Sequence, residues 1–127
     1  MIKDFLIINF TGKKNLVALR VNHNFFIKKF QTNIKNNDNI INSIFKFAKQ
    51  KKANINNTFS IIVNIGPGSF SGVRISLAIG KGIRISNGAK LFGYKDSSLS
   101  EFNRKNIELL IKKKLIQNNL IKPIYIS

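Results

Sequence analysis

The sequence predicts an α/β fold built on one mixed sheet, and three observations carry that expectation. Two short, almost wholly apolar runs, FLIINF at 5–10 and IIVNI at 61–65, have the composition of strands buried on both faces. Two longer stretches place apolar residues at helical spacing: Ile40, Ile41, Ile44, Phe45, Phe47 and Ala48, then Ile75, Ala78, Ile79, Gly82 and Ile83. Between the second strand-like run and the second helical stretch lies a glycine-proline-glycine turn, Gly66-Pro67-Gly68. Glycine opens backbone conformations closed to other residues, and proline fixes φ and donates no hydrogen bond.

Taken in order, residues 5–10 suit a central strand and 11–15 a turn, with a second strand over 16–21. Asn22, His23 and Asn24 form another turn before a third strand near 25–32, so the first quarter reads as an antiparallel meander. Asn36, Asn37 and Asp38 can cap a helix that runs to about Lys52, where Lys49, Lys51 and Lys52 suit the negative end of the helix dipole. Residues 54–58 are a polar loop, and the central strand, turn and helix follow, then a fifth strand at 90–94. Asp96 to Glu101 reads as a capped helix start. Ile107, Leu110, Ile111 and Leu115 give that helix an apolar stripe, Glu108 and Lys112 are spaced for an i,i+4 pair, and 121–127 suits a short closing strand. Three antiparallel strands, then helix, strand, helix, strand, is the order of the ribonuclease-H-like fold and of the lobes of actin-like ATPases. The expected organisation is thus a lobe of this type over 1–95 with a five-stranded sheet, followed by a helix and short strand over 96–127.

Composition narrows the function classes. The 127 residues include no cysteine and one histidine, which removes disulfides, thiolate metal sites and multi-histidine metal sites. No run of about eighteen apolar residues occurs, and Met1 to Asp4 does not lead a basic region into an apolar one, so neither a membrane span nor a signal peptide is expected and the setting reads as cytoplasmic. Lys and Arg total 22 against 5 Asp and Glu, a formal charge of +17. Such a balance attracts nucleic acid through its phosphates. It is also what A/T-rich coding produces when Lys, Asn and Ile dominate and Arg is scarce; both readings stay open.

The turn itself poses the main question. A strand that runs through a glycine-rich turn into a helix aims unpaired N–H groups outward, the usual start of a phosphate site. No Gly-Lys-Ser/Thr follows here, so a classical P-loop is excluded. A serine hydrolase built on Ser69 or Ser71 would need a base, and His23 lies in a distant hairpin. A two-metal nuclease needs three or four converging carboxylates, whereas the chain has only Asp4, Asp38, Asp96, Glu101 and Glu108, with Asn9 on the first strand. Along the helix, Gly72, Ser76 and Gly80 form a stripe of small residues. Helical glycine costs about 1 kcal/mol relative to alanine, so the stripe implies close approach to something, and a partner helix is the reading favoured over the chain's own first helix.

The segment from Gly66 to Ile75, GPGSFSGVRI, resembles the GPGSFTGVRIG hallmark of the bacterial TsaB family, with Ser71 where Thr is usual. Leu77-Ala78, Lys81-Gly82, Leu91-Phe92-Gly93-Tyr94 with Ser97-Ser98-Leu99, and Pro123-Ile124-Tyr125-Ile126 continue the likeness, the last two resembling the family's "LVGVSSL" and "PxYLR". The resemblance implies an actin-like ATPase fold used as a non-catalytic scaffold. Such proteins pair with the catalytic TsaD-type subunit, and through it with a TsaE-type ATPase, to place threonylcarbamoyl on adenosine 37 of tRNA; the same helix surface can serve a homodimer. On this reading tRNA is met indirectly or weakly, and no cofactor, metal or catalytic residue is assigned. The interface residues it implies are Gly66, Pro67, Gly68, Ser69, Phe70, Gly72, Val73, Arg74, Ser76, Leu77, Gly80 and Arg84.

Three departures bear on nucleotide binding. The family's first strand ends in Asp-Thr-Ser, where this chain has Asn9-Phe10-Thr11, and the family's helix-start His falls on Asn36. The second lobe that usually follows the Ser-Ser-Leu stretch is represented only by residues 96–127. The alternative function is a small basic RNA-binding module, although no RNA-binding aromatic motif is present.

Overall fold

Residues alternate sides along a strand, and in this chain that alternation sorts the core into two layers. The computed structural model describes residues 2–10, 15–30, 37–67 and 70–117, the side chains of 37–39, 70 and 71 excepted. The elements are β1 (Phe5–Phe10), β2 (Asn15–Val21), β3 (Asn24–Lys29), α1 (Asn37–Gln50), β4 (Ser60–Asn64), α2 (Phe70–Asn87), β5 (Lys90–Tyr94), a 3-10 turn (Asp96–Ser98), α3 (Arg104–Lys112) and β6 (Ile116–Gln117). The six strands form one sheet in the order β3-β2-β1-β4-β5-β6. The meander β1-β2-β3 is antiparallel, β1 pairs with β4 and β4 with β5 in parallel, and β6 closes antiparallel on β5.

Leu6, Ile8 and Phe10 of β1, with Val17, Leu19, Ile61, Val63 and Leu91, face the layer formed by α1 and α2. Ile40, Ile44 and Phe47 of α1 and Leu77, Ile79 and Ile83 of α2 cover them. Phe5, Ile7, Ala18, Ile62 and Tyr94 face the other way and pack with Ile107 and Leu110 of α3. β1 and β4 are apolar on both sides because both sides are covered, as their composition predicts. The β2–β3 connection is a two-residue hairpin turn with Asn22 at φ 50° and His23 at φ 69°. Positive φ at both centres is the turn that matches strand twist. The Asn22 N–H donates to Asp4 Oδ1 at 3.2 Å, tying the turn to the start of β1.

The tail differs from expectation at three points. Asp96–Ser98 is a 3-10 turn and α3 begins at Arg104, where the Asn103 side chain accepts from the Asn106 N–H. Glu108 pairs with Arg104 one turn earlier, at 3.1 Å, and stands 4.0 Å from Arg20, so its partner is not Lys112. Arg104 also donates to the His23 carbonyl at 3.2 Å and lies over the Phe25 ring, which pins α3 to the hairpin. The sixth strand, Ile116–Gln117, answers to no sequence expectation; two residues are too few to show a period. The closing strand expected over 121–127 and the cap residue Asn36 lie outside the described residues.

Candidate functional site

Parallel strands bring their carboxyl ends to one side, and in open α/β sheets that side is where sites form. Here β1, β4 and β5 deliver Asn9, Asn64 and Tyr94 to one polar cluster, completed by Asp96 just beyond β5. Asn64 donates one amide N–H to Asn9 Oδ1 at 2.7 Å and the other to Asp96 Oδ1 at 2.9 Å, while its own oxygen accepts the Gly66 N–H at 2.7 Å. The Tyr94 hydroxyl donates to Asn9 Oδ1 at 2.9 Å. Asn64 and Tyr94 are each 1% exposed. Both N–H groups and the oxygen of the Asn64 amide are used within the chain, and among the described residues no buried side-chain polar atom lacks a partner. Burial, reinforced by the Asp96 charge, holds the Tyr94 phenol well above its ordinary value of 10.0, while the Asn64 amide pulls the other way. Tyr94 therefore stays a neutral donor.

The glycine-proline turn is built on this cluster. Gly66 has φ 95°, a conformation that favours glycine, and its bond to Pro67 is cis. Its carbonyl accepts the Asp96 N–H at 2.9 Å, so the turn is bonded on both sides of the peptide. Asn9 stands where the family resemblance calls for an acidic residue, and its oxygen already receives two donors. The arrangement ties three strand ends to the entry of α2. In the sequence Tyr94 reads as part of a strand and Asp96 as a helix start, and nothing local joins either to Asn64; the signal available is strand parity, since Asn64 and Tyr94 occupy the last position of their strands in direct register.

The twelve residues assigned to an interface are distributed as follows. Gly68 and Ser69 lie outside the described residues, and Phe70 is the first residue of α2. Gly66 is buried and Pro67 exposed. Val73, Ser76, Leu77 and Gly80 are buried on the chain's own core, as is Gly72, whose carbonyl accepts the Ser76 hydroxyl at 2.9 Å. Arg74 and Arg84 are exposed.

The small-residue stripe therefore does not admit a partner helix: it admits the sheet. A Cβ on Gly80 would lie 2.9 Å from Val63 Cγ1 and 2.9 Å from Leu91 Cδ1. Branched side chains rise from β4 and β5 beneath it, and only a glycine lets the helix axis approach them. Conversely, Ala78 and Gly82, expected over the sheet, are exposed, and a Cβ on Gly82 would meet nothing within 4 Å. The outer face of α2 consists of Arg74, Ala78, Lys81, Gly82 and Ile85, the last 85% exposed. These positions recur at i, i+4, i+7, i+8 and i+11, one continuous helical face.

No family model matches the chain, and no curated protein matches it. Solved structures do. YeaZ from Pseudomonas aeruginosa superposes with a TM-score of 0.65 at 15% identity, over 76% of this chain and 46% of that one. An uncharacterized protein described as similar to peptidase YEAZ from Pseudomonas aeruginosa superposes with a TM-score of 0.63, also at 15% identity, over 76% of this chain and 45% of its own. The fold is the mixed α/β actin-like fold of these structures, with six strands in the sheet where five were expected. The chain spans less than half the length of either neighbour. No helix among the described residues is long and apolar enough to cross a membrane.

Proposed function

We propose that this chain is a TsaB-like accessory subunit of the cytoplasmic machinery that places threonylcarbamoyl on adenosine 37 of tRNA. It acts without catalysis of its own and binds the TsaD-type catalytic subunit. The observation that supports this most is the position of the GPGSFSGVRI segment. It bridges the end of β4 and the first turns of α2 in an actin-like fold, in a chain whose fold neighbours include YeaZ, another name for TsaB.

The surface assigned to pairing is the outer face of α2. Ala78 and Gly82 leave the helix backbone open to close approach, Ile85 supplies an exposed apolar anchor, and Arg74, Lys81 and Arg84 surround them with positive charge. Buried apolar anchors inside a polar rim are what carry most interface energy. The peptidase in one neighbour's description is not carried over: His23 sits at the β2–β3 turn, at the end of the sheet opposite the start of α2, where Ser71 lies.

Calorimetric titration of this protein with the TsaD-type subunit of the same cell tests the reading. The wild type binds, Ile85→Glu weakens binding by about tenfold or more through a charge set against an apolar pocket, and the circular dichroism of the variant is unchanged. A titration with no heat of binding, or binding indifferent to both Ile85→Glu and Ala78→Glu, contradicts it. Self-association lost in the same variants, with no binding to the TsaD-type subunit, would assign the face to a second copy.

A further inference from the structure

The end of the sheet opposite the asparagine cluster carries a cavity that the pairing surface does not use. It has a volume of about 430 Å³ and is lined by Lys3, Lys52, Lys90, Asn54, Asn56 and Thr58. The three lysines come from three separate places in the chain: just before β1, just after α1, and the first residue of β5. All three are exposed, and among the described residues none is in an ion pair. Asp4 also lines the cavity, with Oδ1 engaged by the Asn22 N–H, so the walls carry three positive charges against one negative.

We propose that this cavity binds a phosphate of a polynucleotide backbone. Lysine at the end of a helix ordinarily answers the negative end of the dipole, and Lys52 follows α1 in that way. Lys90 opens β5 just beyond the end of α2 and answers to the same rule, whereas Lys3 stands before β1, so the dipole gives no reason for Lys3 to join them. The neutral lining suits an anion as well. Asn56 Oδ1, the atom that would repel a phosphate, is taken up by the Thr58 N–H at 2.9 Å and the Thr58 hydroxyl at 2.6 Å, which leaves the Asn56 amide N–H groups as donors. A net charge of +17 makes the whole molecule a polyanion attractor, and the cavity gives that attraction a place to localise. Backbone phosphates are common to every sequence, so this site positions a strand and reads no bases.

The inference is independent of the pairing reading, since no lining residue belongs to the outer face of α2. The test measures binding of the full chain to a labelled single-stranded RNA of about twelve nucleotides across a salt series. Two triple variants remove the same charge: Lys3→Gln, Lys52→Gln and Lys90→Gln in the cavity, and Lys46→Gln, Lys105→Gln and Lys113→Gln on exposed surface elsewhere. The cavity triple should lose about tenfold in affinity and lower the slope of log K against log salt by about 2, three contacts at about 0.7 each, while the control triple loses less than about threefold. Equal losses in the two triples would show diffuse attraction and overturn the site. In the wild type, RNA should shift the backbone amide resonances of Lys3, Asn56 and Lys90; shifts confined to other residues overturn it equally, whether or not the variants fold. Inorganic phosphate is the second probe. It should compete only weakly, and if it binds as tightly as the RNA the occupant is a free phosphate and the polynucleotide assignment fails.

Discussion

Asn64 shows how little freedom the candidate site leaves. One amide gives two hydrogens to Asn9 and Asp96 and takes one from Gly66, and Asn64 itself is buried. Replacing it by aspartate exchanges two donors for an acceptor facing two acceptors. Asn64→Asp should lower stability by about 3 kcal/mol, the cost of buried groups left unpaired plus carboxylate repulsion, measured as a fall in the denaturant midpoint without a change in slope. A midpoint within error of the wild type would mean that the cluster is not closed as described. At this scale the sequence was only partly legible. Asn9 was readable as a departure from the family's aspartate, and its consequence for phosphate chemistry followed. That its oxygen would be held by Asn64 and Tyr94, 55 and 85 residues away, was not, because nothing local marks a residue as the hub of a tertiary network.

Elements show the same division between local and tertiary information. The helix over Phe70–Asn87 was readable from its apolar spacing, yet its orientation was readable only in part. Ile79 and Ile83 face the core as their spacing predicts, but Ala78 and Gly82 exchange places with Ser76 and Gly80, since a hydrophobicity count favours Ala over Ser and cannot tell which glycine the sheet needs. The steric demand of Val63 and Leu91 decides it. Helix ends offer a separate test. Both α1 and α3 finish with paired 6→1 and 5→2 hydrogen bonds, Ala53 N–H to Ala48 and Lys52 N–H to Lys49 in one, Leu115 N–H to Leu110 and Lys114 N–H to Ile111 in the other. The residue in the left-handed position is Lys52 at φ 61° and Lys114 at φ 57°, where glycine is the usual choice. Lys114→Gly should therefore raise stability by about 1 kcal/mol, read from thermal unfolding. An unchanged or lowered midpoint would show that the lysine stem compensates by packing. Two lysines in glycine positions also fit the compositional reading of the +17 charge, which is why the RNA test compares two lysine triples and not lysine against wild type.

For the whole molecule, the order of elements along the chain and the antiparallel meander were legible because they rest on patterns that run through many residues: the buried runs of β1 and β4, the stripe of α1, the hairpin residues Asn22 and His23. The short β6 and the late start of α3 were not, since Asp96-Ser97-Ser98 offers capping side chains that the chain uses for a 3-10 turn. The resulting molecule has an actin-like fold whose parallel-strand carboxyl ends are joined by hydrogen bonds among their own side chains and whose second helix exposes its outer face among the described residues. The proposed pairing puts the catalytic subunit on this face. Amide hydrogen exchange across α2, measured with and without the TsaD-type subunit, tests it most directly. The outcome that agrees is slowed exchange along α2 from Arg74 to Ile85, with α1 and α3 unchanged. Protection confined to α1, α3 or the β2–β3 hairpin, with α2 unaffected, would contradict it.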